Sequence, residues 1–416
     1  MPRYAILIQV MKNLSPDERK LLLVQGLDIL AYSLANIFVT VFFFAHGDLK
    51  VTTIYNIAAL ASMTFFYGAS GWTLRHMSSG TMMKLSLVAG SLFYLLLFFL
   101  KDQSIGLVIP LGILSGFSGG NFWASYNLNQ YILAHEGRRV SYFGWAGAVF
   151  NLANAAGPGL GGLIIMLVGR TSLGPMNGYL ALFLVVAIIN IITIFVIGKL
   201  PAHESLDFSY HHILGHQRTR RWKLILGQNA VLGLFDIALG TVTGILFFVI
   251  VKNEADLGFV LTIFSTIAIV SNLYAIPLLT KFPSAYWIGV AGSALSIIVF
   301  AFYQSPLGIW AYIIISGLTV PIFNNKLSIV YFGVLDQAQG SWQQKYHLLL
   351  ERDIVLGIFR TVSFIGLFVF LQFGPEIQLA KNWLYFLPIF PLMLAVLLQK
   401  TIWSSDAKEH DTHERT

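Results

Sequence analysis

Four ionisable side chains lie inside long apolar stretches of the sequence: Asp28, Asp236, Lys326 and Arg360. If these stretches cross a bilayer, each buried charge costs about 2.5–3.5 kcal/mol unless an opposite charge, water or a ligand compensates it. A carboxylate that gains and loses such compensation can take up and release a proton. We therefore predict that Asp236, and after it Asp28, couples the protein to proton movement.

The same charges suggest a gate. Asp28 and Arg360 each follow a basic residue by eight positions, and Lys326 lies about eight residues from the end of its stretch, a depth of roughly 12 Å along a helix. We predict that Asp28 meets Lys326 or Arg360 when the cytoplasmic side closes. Two alternatives stay open: Lys326 pairs with Asp236, or Lys326 binds an anionic substrate directly.

The composition is that of a membrane protein. Of the 416 residues, 56% are hydrophobic and only 11% are charged, and the mean hydropathy is +0.72. Apolar runs of about 20 residues, each long enough to cross a bilayer as a helix, recur along the whole chain. We count about twelve such runs, the seventh from Leu224 to Val251. The sequence thus predicts an all-α, multi-pass protein that contacts the lipid bilayer directly.

Basic residues indicate how the chain is oriented. With both termini in the cytoplasm, the external loops contain only five of the 26 Lys and Arg residues, as the positive-inside rule requires. The net charge of +7 then reports orientation and gives no reason to expect a nucleic-acid partner. The basic run QRTRRWK, residues 217–223, fits a cytoplasmic linker beside lipid headgroups. We predict residence in the cytoplasmic membrane.

Several kinds of chemistry lack their usual residues. The sequence has no cysteine, so it offers neither a thiol nucleophile nor a cysteine metal site. It contains no phosphate loop and no HExxH motif, which are the signatures of ATP-driven pumps and metalloproteases. We therefore expect no enzyme, no cofactor and no metal site. An intramembrane enzyme without a motif stays an open alternative.

The chain divides into two halves. The longest polar interruption, Pro201–Lys223, separates six apolar runs from six. When the seventh run is laid on the first at an offset of 203 residues, Gln25 matches Gln228 and Thr40 matches Thr243. Repeated halves are typical of transporters whose bundles rock around a central site. We predict bundles at 1–200 and 224–403, a cytoplasmic linker at 201–223 and a cytoplasmic tail at 404–416.

The fifth run contains NAAGPGLGGLI, residues 154–164. The spacing of its small residues resembles the fifth-helix antiporter motif of the major facilitator superfamily, with Ala153 in place of the middle glycine. This resemblance implies twelve transmembrane helices in two six-helix bundles, and it favours export. The loop GWTLRHMSSG, residues 71–80, departs from the superfamily pattern because Arg75 stands at the usual acidic position. The motif residues are Gly144, Gly157, Pro158, Gly161 and Gly162.

The resemblance also implies a substrate cavity lined by the first, fourth, seventh and tenth helices. On the first helix, Gln25, Asp28, Tyr32 and Asn36 recur at intervals of three and four, which places them on one face. Amides and hydroxyls also recur on the other three helices. The predicted cavity residues are Gln25, Tyr32, Asn36, Asn121, Trp123, Ser125, Tyr126, Asn129, Gln228, Asn324, Asn325 and Lys326.

These patterns together predict a proton-coupled secondary transporter that moves a small organic solute by alternating access. Export is the expected direction, protons and the solute are the expected partners, and a monomer is the expected state. An uptake symporter, a lipid flippase of the same fold and a non-transporting membrane sensor stay open as alternatives.

Overall fold

The computed structural model describes residues 14–133, 139–171, 174–198, 208–337 and 342–413. Within these ranges the regular structure consists of helices, with no strand. The first helix begins where the sequence caps it: the Ser15 hydroxyl accepts from the backbone N–H of Glu18, and the Glu18 carboxylate accepts from that of Ser15. Such a reciprocal cap satisfies two donors that a helix start otherwise leaves open.

The first half of the chain contains six long helices. A 3-10 segment, Lys101–Leu107, connects the third to the fourth. The bounds are α1 Pro16–His46, α2 Leu49–His76, α3 Ser79–Leu100, α4 Val108–Leu133, α5 Arg139–Gly169 and α6 Pro175–Ile197.

The second half has more helices because some are short or interrupted. It begins with a single-turn helix, α7 Tyr210–Leu214. The others are α8 Arg220–Gly233, α9 Asp236–Val251, α10 Glu254–Lys281, α11 Tyr286–Phe302, α12 Pro306–Gln337, α13 Trp342–Phe370, α14 Glu376–Trp383 and α15 Ile389–His413.

Ten segments of the described chain are long and apolar enough to cross a membrane, and Ile389–Ser404 is a shorter apolar helix. One of the ten, Ser79–Gln130, is 52 residues long and contains both α3 and α4. Because one crossing needs about 20 residues, this segment provides two crossings. The structure thus confirms the predicted all-α, multi-pass protein with twelve spans.

The seventh span is the element that differs from its prediction. The sequence predicts one continuous helix from Leu224 to Val251, whereas the structure has α8 ending at Gly233 and α9 beginning at Asp236. The apolar pattern continues through Leu234 and Phe235, so hydropathy gives no sign of the break.

The chain forms two compact units. The first contains residues 1–47, 61–208 and 253–262, and the second contains 48–60, 209–252 and 263–416. The units differ from the sequence halves at two places, because the start of α2 groups with the second unit and the start of α10 with the first. Residues 199–207 lie outside the described residues. They include positions 201–207 of the predicted linker. The predicted domain boundaries stay predictions.

Candidate functional site

A polar face runs along α1 in the first unit. Asp28 is half-buried, Tyr32 is 51% exposed and Asn36 is exposed, and the three lie four residues apart. Neighbouring positions such as Phe38 and Ala35 are completely buried. An exposed asparagine in a spanning helix is unfavourable against lipid, so this face suits water or a polar ligand.

Asp28 and Gln25 lie one turn apart on this face, and both lack a partner. Neither makes a hydrogen bond or ion pair with the described residues, and the Gln25 side-chain oxygen is buried without a donor. On α4, the Tyr126 hydroxyl accepts a 2.6 Å hydrogen bond from the Gln130 amide. One face of α1 therefore has two acceptor side chains that lack a donor among the described residues.

The predicted cavity residues of α4 are mostly used within the first unit. Asn129 accepts a 2.8 Å hydrogen bond from the Ser79 hydroxyl, and Ser125 donates to the Asn121 carbonyl at 2.7 Å. All four of these side chains are buried. Trp123 is half-buried and packs against the apolar cluster that contains Tyr126. Contact of these residues with a substrate stays a prediction.

The break in the seventh span places Asp236 opposite Arg360 in the second unit. The Arg360 guanidinium donates to both carboxylate oxygens, with Nε at 3.2 and 3.0 Å and Nη2 closer still. The carboxylate also accepts from the Ile237 N–H at 2.7 Å, at the start of α9. An acidic group at a helix start interacts favourably with the helix dipole. Asp236 is therefore engaged from two directions.

The break itself depends on α13. The Ser363 hydroxyl donates to the Leu234 carbonyl at 2.6 Å, which satisfies an acceptor that the interruption frees. Gly233 lies so close to α13 that a Cβ there would be 2.6 Å from the Leu356 carbonyl oxygen. The roles of Ser363 and Gly233 could not be predicted from the sequence, because they arise only when the two helices pack.

Lys326 in α12 is half-buried and makes no ion pair with the described residues. Its neighbour Asn325 donates to the Asn272 side chain at 2.7 Å, whereas Asn324 is exposed. Gln228 donates to the Thr401 hydroxyl at 2.7 Å. The predicted gate contact of Asp28 with Lys326 or Arg360 stays a prediction.

The antiporter-like motif packs one side of α5 onto α1. A Cβ at Gly157 would lie 2.1 Å from the Ser33 hydroxyl oxygen, and a Cβ at Gly161 would lie 2.4 Å from the Leu34 carbonyl oxygen. The Ser33 hydroxyl also donates to the Ala153 carbonyl at 2.9 Å. These helices approach too closely for any side chain larger than glycine at the two motif positions.

The other side of α5 packs onto the start of α10. The Thr262 hydroxyl accepts from the Gly159 N–H at 2.9 Å, a Cβ at Gly258 would lie 2.3 Å from the Pro158 carbonyl oxygen, and Gly162 touches the backbone of Glu254. Residues 254, 258 and 262 are spaced by four, so they form one face of α10. Gly144, by contrast, has open space around its Cβ position.

Two carboxylates anchor helix starts at the predicted outer ends. In the first unit, Glu254 accepts a 2.8 Å hydrogen bond from the Tyr179 hydroxyl. In the second, Glu376 accepts from the Leu49 N–H at 2.9 Å and lies 3.6 Å from the Lys50 ammonium. Neither glutamate was among the predicted site residues, although each begins a helix after an Asn or Pro residue.

In the second unit, Glu351 contacts residues just before α8 and in its first turn. This carboxylate is buried, accepts from Arg218 Nε at 2.5 Å and from Trp222 Nε1 at 2.7 Å, and lies 3.5 Å from His216.

In the first unit, Phe208 packs against Gly71, where a Cβ would lie 2.3 Å from the Phe208 ring. The atypical Arg75 donates to the Phe208 carbonyl at 3.4 Å.

The chain resembles solved transporters over most of its length. It matches a variant of the nucleoside transporter NupG at a TM-score of 0.70 and 12% identity, covering 92% of this chain and 99% of that one. A bacterial homologue of the iron transporter ferroportin matches at 0.65 and 16%, covering 92% and 98%. The human organic anion transporter MFSD10 matches at 0.56 and 16%, covering 91% and 100%.

No protein-family profile matches the sequence, and no curated protein matches it either. At these identities the structural matches establish the fold, which is of the major facilitator type with two six-helix bundles. The resemblance predicted from the fifth helix is thereby confirmed at the level of fold. The matches therefore assign no substrate, coupling ion or direction of transport to this chain.

Proposed function

We propose that this chain, which has the major facilitator fold, is a secondary transporter that moves a small organic solute by alternating access and couples this movement to protons. The observation that carries the proposal is Asp28: among the described residues, it has neither an ion-pair partner nor a hydrogen bond. Asp236 is held by Arg360 and by the start of α9. We therefore assign proton coupling to Asp28 before Asp236, which reverses the order that the sequence alone suggested.

The physical reason is the cost of an uncompensated charge. A carboxylate in an apolar surrounding needs a proton, a cation or water, and an unpaired carboxylate can exchange these partners without first breaking a salt bridge. Asp236 would have to separate from a bidentate guanidinium, the strongest type of hydrogen-bonded pair. This pair therefore suits a structural support of the interrupted helix.

The contacts of α5 support a conformational role for the antiporter-like motif. Its glycines let α1 and the start of α10 approach α5 from two sides, so residues of both sequence halves meet on this helix. An alternating-access cycle in which bundles move requires such contacts to form and break. Export follows from the resemblance of the motif, and it is part of the proposal.

Proton movement in proteoliposomes tests the proposal. Vesicles that contain a pH-sensitive dye receive uridine, 2-phenylethylamine or 3-phenylpropanoate, and solute-dependent proton flux is recorded. We expect at least one solute to move protons in the wild type and Asp28→Asn to abolish the flux. Flux that persists in Asp28→Asn but disappears in Asp236→Asn would reverse the assignment.

A further inference from the structure

We propose that Asp28 and Gln25 bind the ammonium group of the substrate, so that this protein transports amphipathic organic cations. The inference rests on the proposed function and names the substrate class of the same site. It starts from an imbalance: the α1 face of the first unit presents two acceptor groups that have no donor within the described residues.

The two acceptors are placed to act together. Positions 25 and 28 are three residues apart, so their side chains are neighbours on the helix surface. Gln25 is only 5% exposed and its side-chain oxygen has no donor. A buried acceptor without a partner costs about 1–3 kcal/mol. A ligand that supplies N–H groups would recover this energy and would also neutralise the Asp28 carboxylate.

The surroundings favour an organic cation with an apolar body. Tyr32 lies one turn beyond Asp28 on the same face and is 51% exposed. An aromatic ring beside an ammonium adds about 0.5–2 kcal/mol, depending on how far both are desolvated.

A metal ion fits this set less well. Mg²⁺ and Ca²⁺ require about six or more oxygen ligands, and softer metals prefer imidazole or thiolate. Asp28 and Gln25 supply one carboxylate and one amide. Across the described residues, no group of three or more His, Cys, Asp or Glu side chains could hold a metal. The α1 site therefore has the ligands for an ammonium and lacks those for a metal.

Binding at this site makes the proton and the substrate competitors. Asp28 can hold either a proton or the ammonium, and the arrival of one releases the other. Exchange at a single carboxylate would couple the export of a cation to the entry of a proton, which is what an antiporter requires. The same competition predicts that substrate affinity falls as the pH is lowered.

Equilibrium binding to the purified full-length protein tests the inference without any transport step. Four probes are titrated: 2-phenylethylamine, its neutral analogue 2-phenylethanol, the anion 3-phenylpropanoate, and Mn²⁺. We expect only the amine to bind, Asp28→Asn to weaken it at least tenfold, and Gln25→Leu to weaken it several-fold. Gln25→Glu, which adds a second carboxylate, should strengthen it. Asp336→Asn, at an exposed position, is the matched control and should change nothing.

Three results would overturn the inference: unchanged amine affinity in Asp28→Asn, preferential binding of the anion, or Asp28-dependent binding of Mn²⁺. If Asp28→Asn does not fold, Asp28→Glu and the pH dependence of wild-type binding decide instead, because both keep a carboxylate. If no amine binds while another solute still drives proton flux, the substrate class fails and the proposed transport stands. If the amine binds but no solute drives proton flux, the substrate class stands and the proposed proton-coupled transport fails.

Discussion

Replacing Gly157 by alanine tests how tightly α5 packs onto α1. The added Cβ would lie 2.1 Å from the Ser33 hydroxyl oxygen, 2.6 Å from its Cβ and 2.7 Å from its backbone carbon. Contacts between carbon atoms are comfortable at about 3.5–4.0 Å, so the helices must separate by roughly an ångström. A rotamer change of Ser33 cannot relieve the clash, because one of the three atoms belongs to the backbone.

The expected destabilisation follows from this geometry. Overpacking a close contact costs about 1–3 kcal/mol, whereas glycine to alanine in a helix interior otherwise gains up to about 1 kcal/mol. Gly144→Ala provides a matched control on the same helix, because nothing lies within 4 Å of its Cβ position. We expect Gly144→Ala to be neutral or stabilising and Gly157→Ala to be less stable than the control by about 1–3 kcal/mol.

Heating the two purified variants in detergent and measuring the fraction that remains monodisperse provides the assay. Solute-driven proton flux in proteoliposomes is recorded in parallel, and we expect it to fall in Gly157→Ala only. Equal thermal resistance of the two variants would refute the packing argument. Equal flux at reduced stability would show that the α1–α5 contact supports the fold without taking part in the transport cycle.

Three further predictions concern contacts outside α1. Thr262→Val should destabilise the protein by about 0.5–1.5 kcal/mol through the lost hydrogen bond to α5, whereas Thr262→Ser should not, as thermal denaturation would show. Asp236→Asn and Arg360→Gln should each destabilise more than the double variant, because a single change leaves one charge unpaired; similar losses in all three would contradict this. Tyr179→Phe should increase labelling of a single cysteine introduced beside Glu254, a clean test since the chain has no cysteine; unchanged labelling would exclude a role for this contact in closure.

The number of spans and the fold could be predicted from the sequence because the bilayer imposes them. Each crossing requires a helix of about 20 apolar residues, and that requirement is visible in the sequence. The motif at Gly157 and Gly161 was also readable, since only small side chains allow helices to touch. These signals are local, so one sequence is enough to detect them.

The partners of the embedded charges could not be predicted in the same way. The pairing of Asp236 with Arg360 depends on the break after Gly233, and the break depends on the Ser363 hydroxyl, which comes from a helix far along the chain. Depth along a helix places a charge at a level in the membrane, but it does not show which neighbour the side chain faces. The equal depths of Asp28 and Arg360 therefore suggested a contact, while Arg360 has its partner within its own unit.

The Glu351 cluster changes what the basic run can do at a membrane surface. Arg218 is bound to that buried carboxylate, and Arg221 donates to Gln337 at 2.5 Å. Arg220 and Lys223 are exposed and three residues apart, so they lie on one side of α8. A basic residue near an anionic leaflet contributes about 1 kcal/mol. Because Gln337 is neutral, Arg221 keeps its charge and only Arg218 is compensated by a carboxylate. The attraction of this segment to acidic lipid is thereby reduced from four charges to three, and these act at the point where α8 begins.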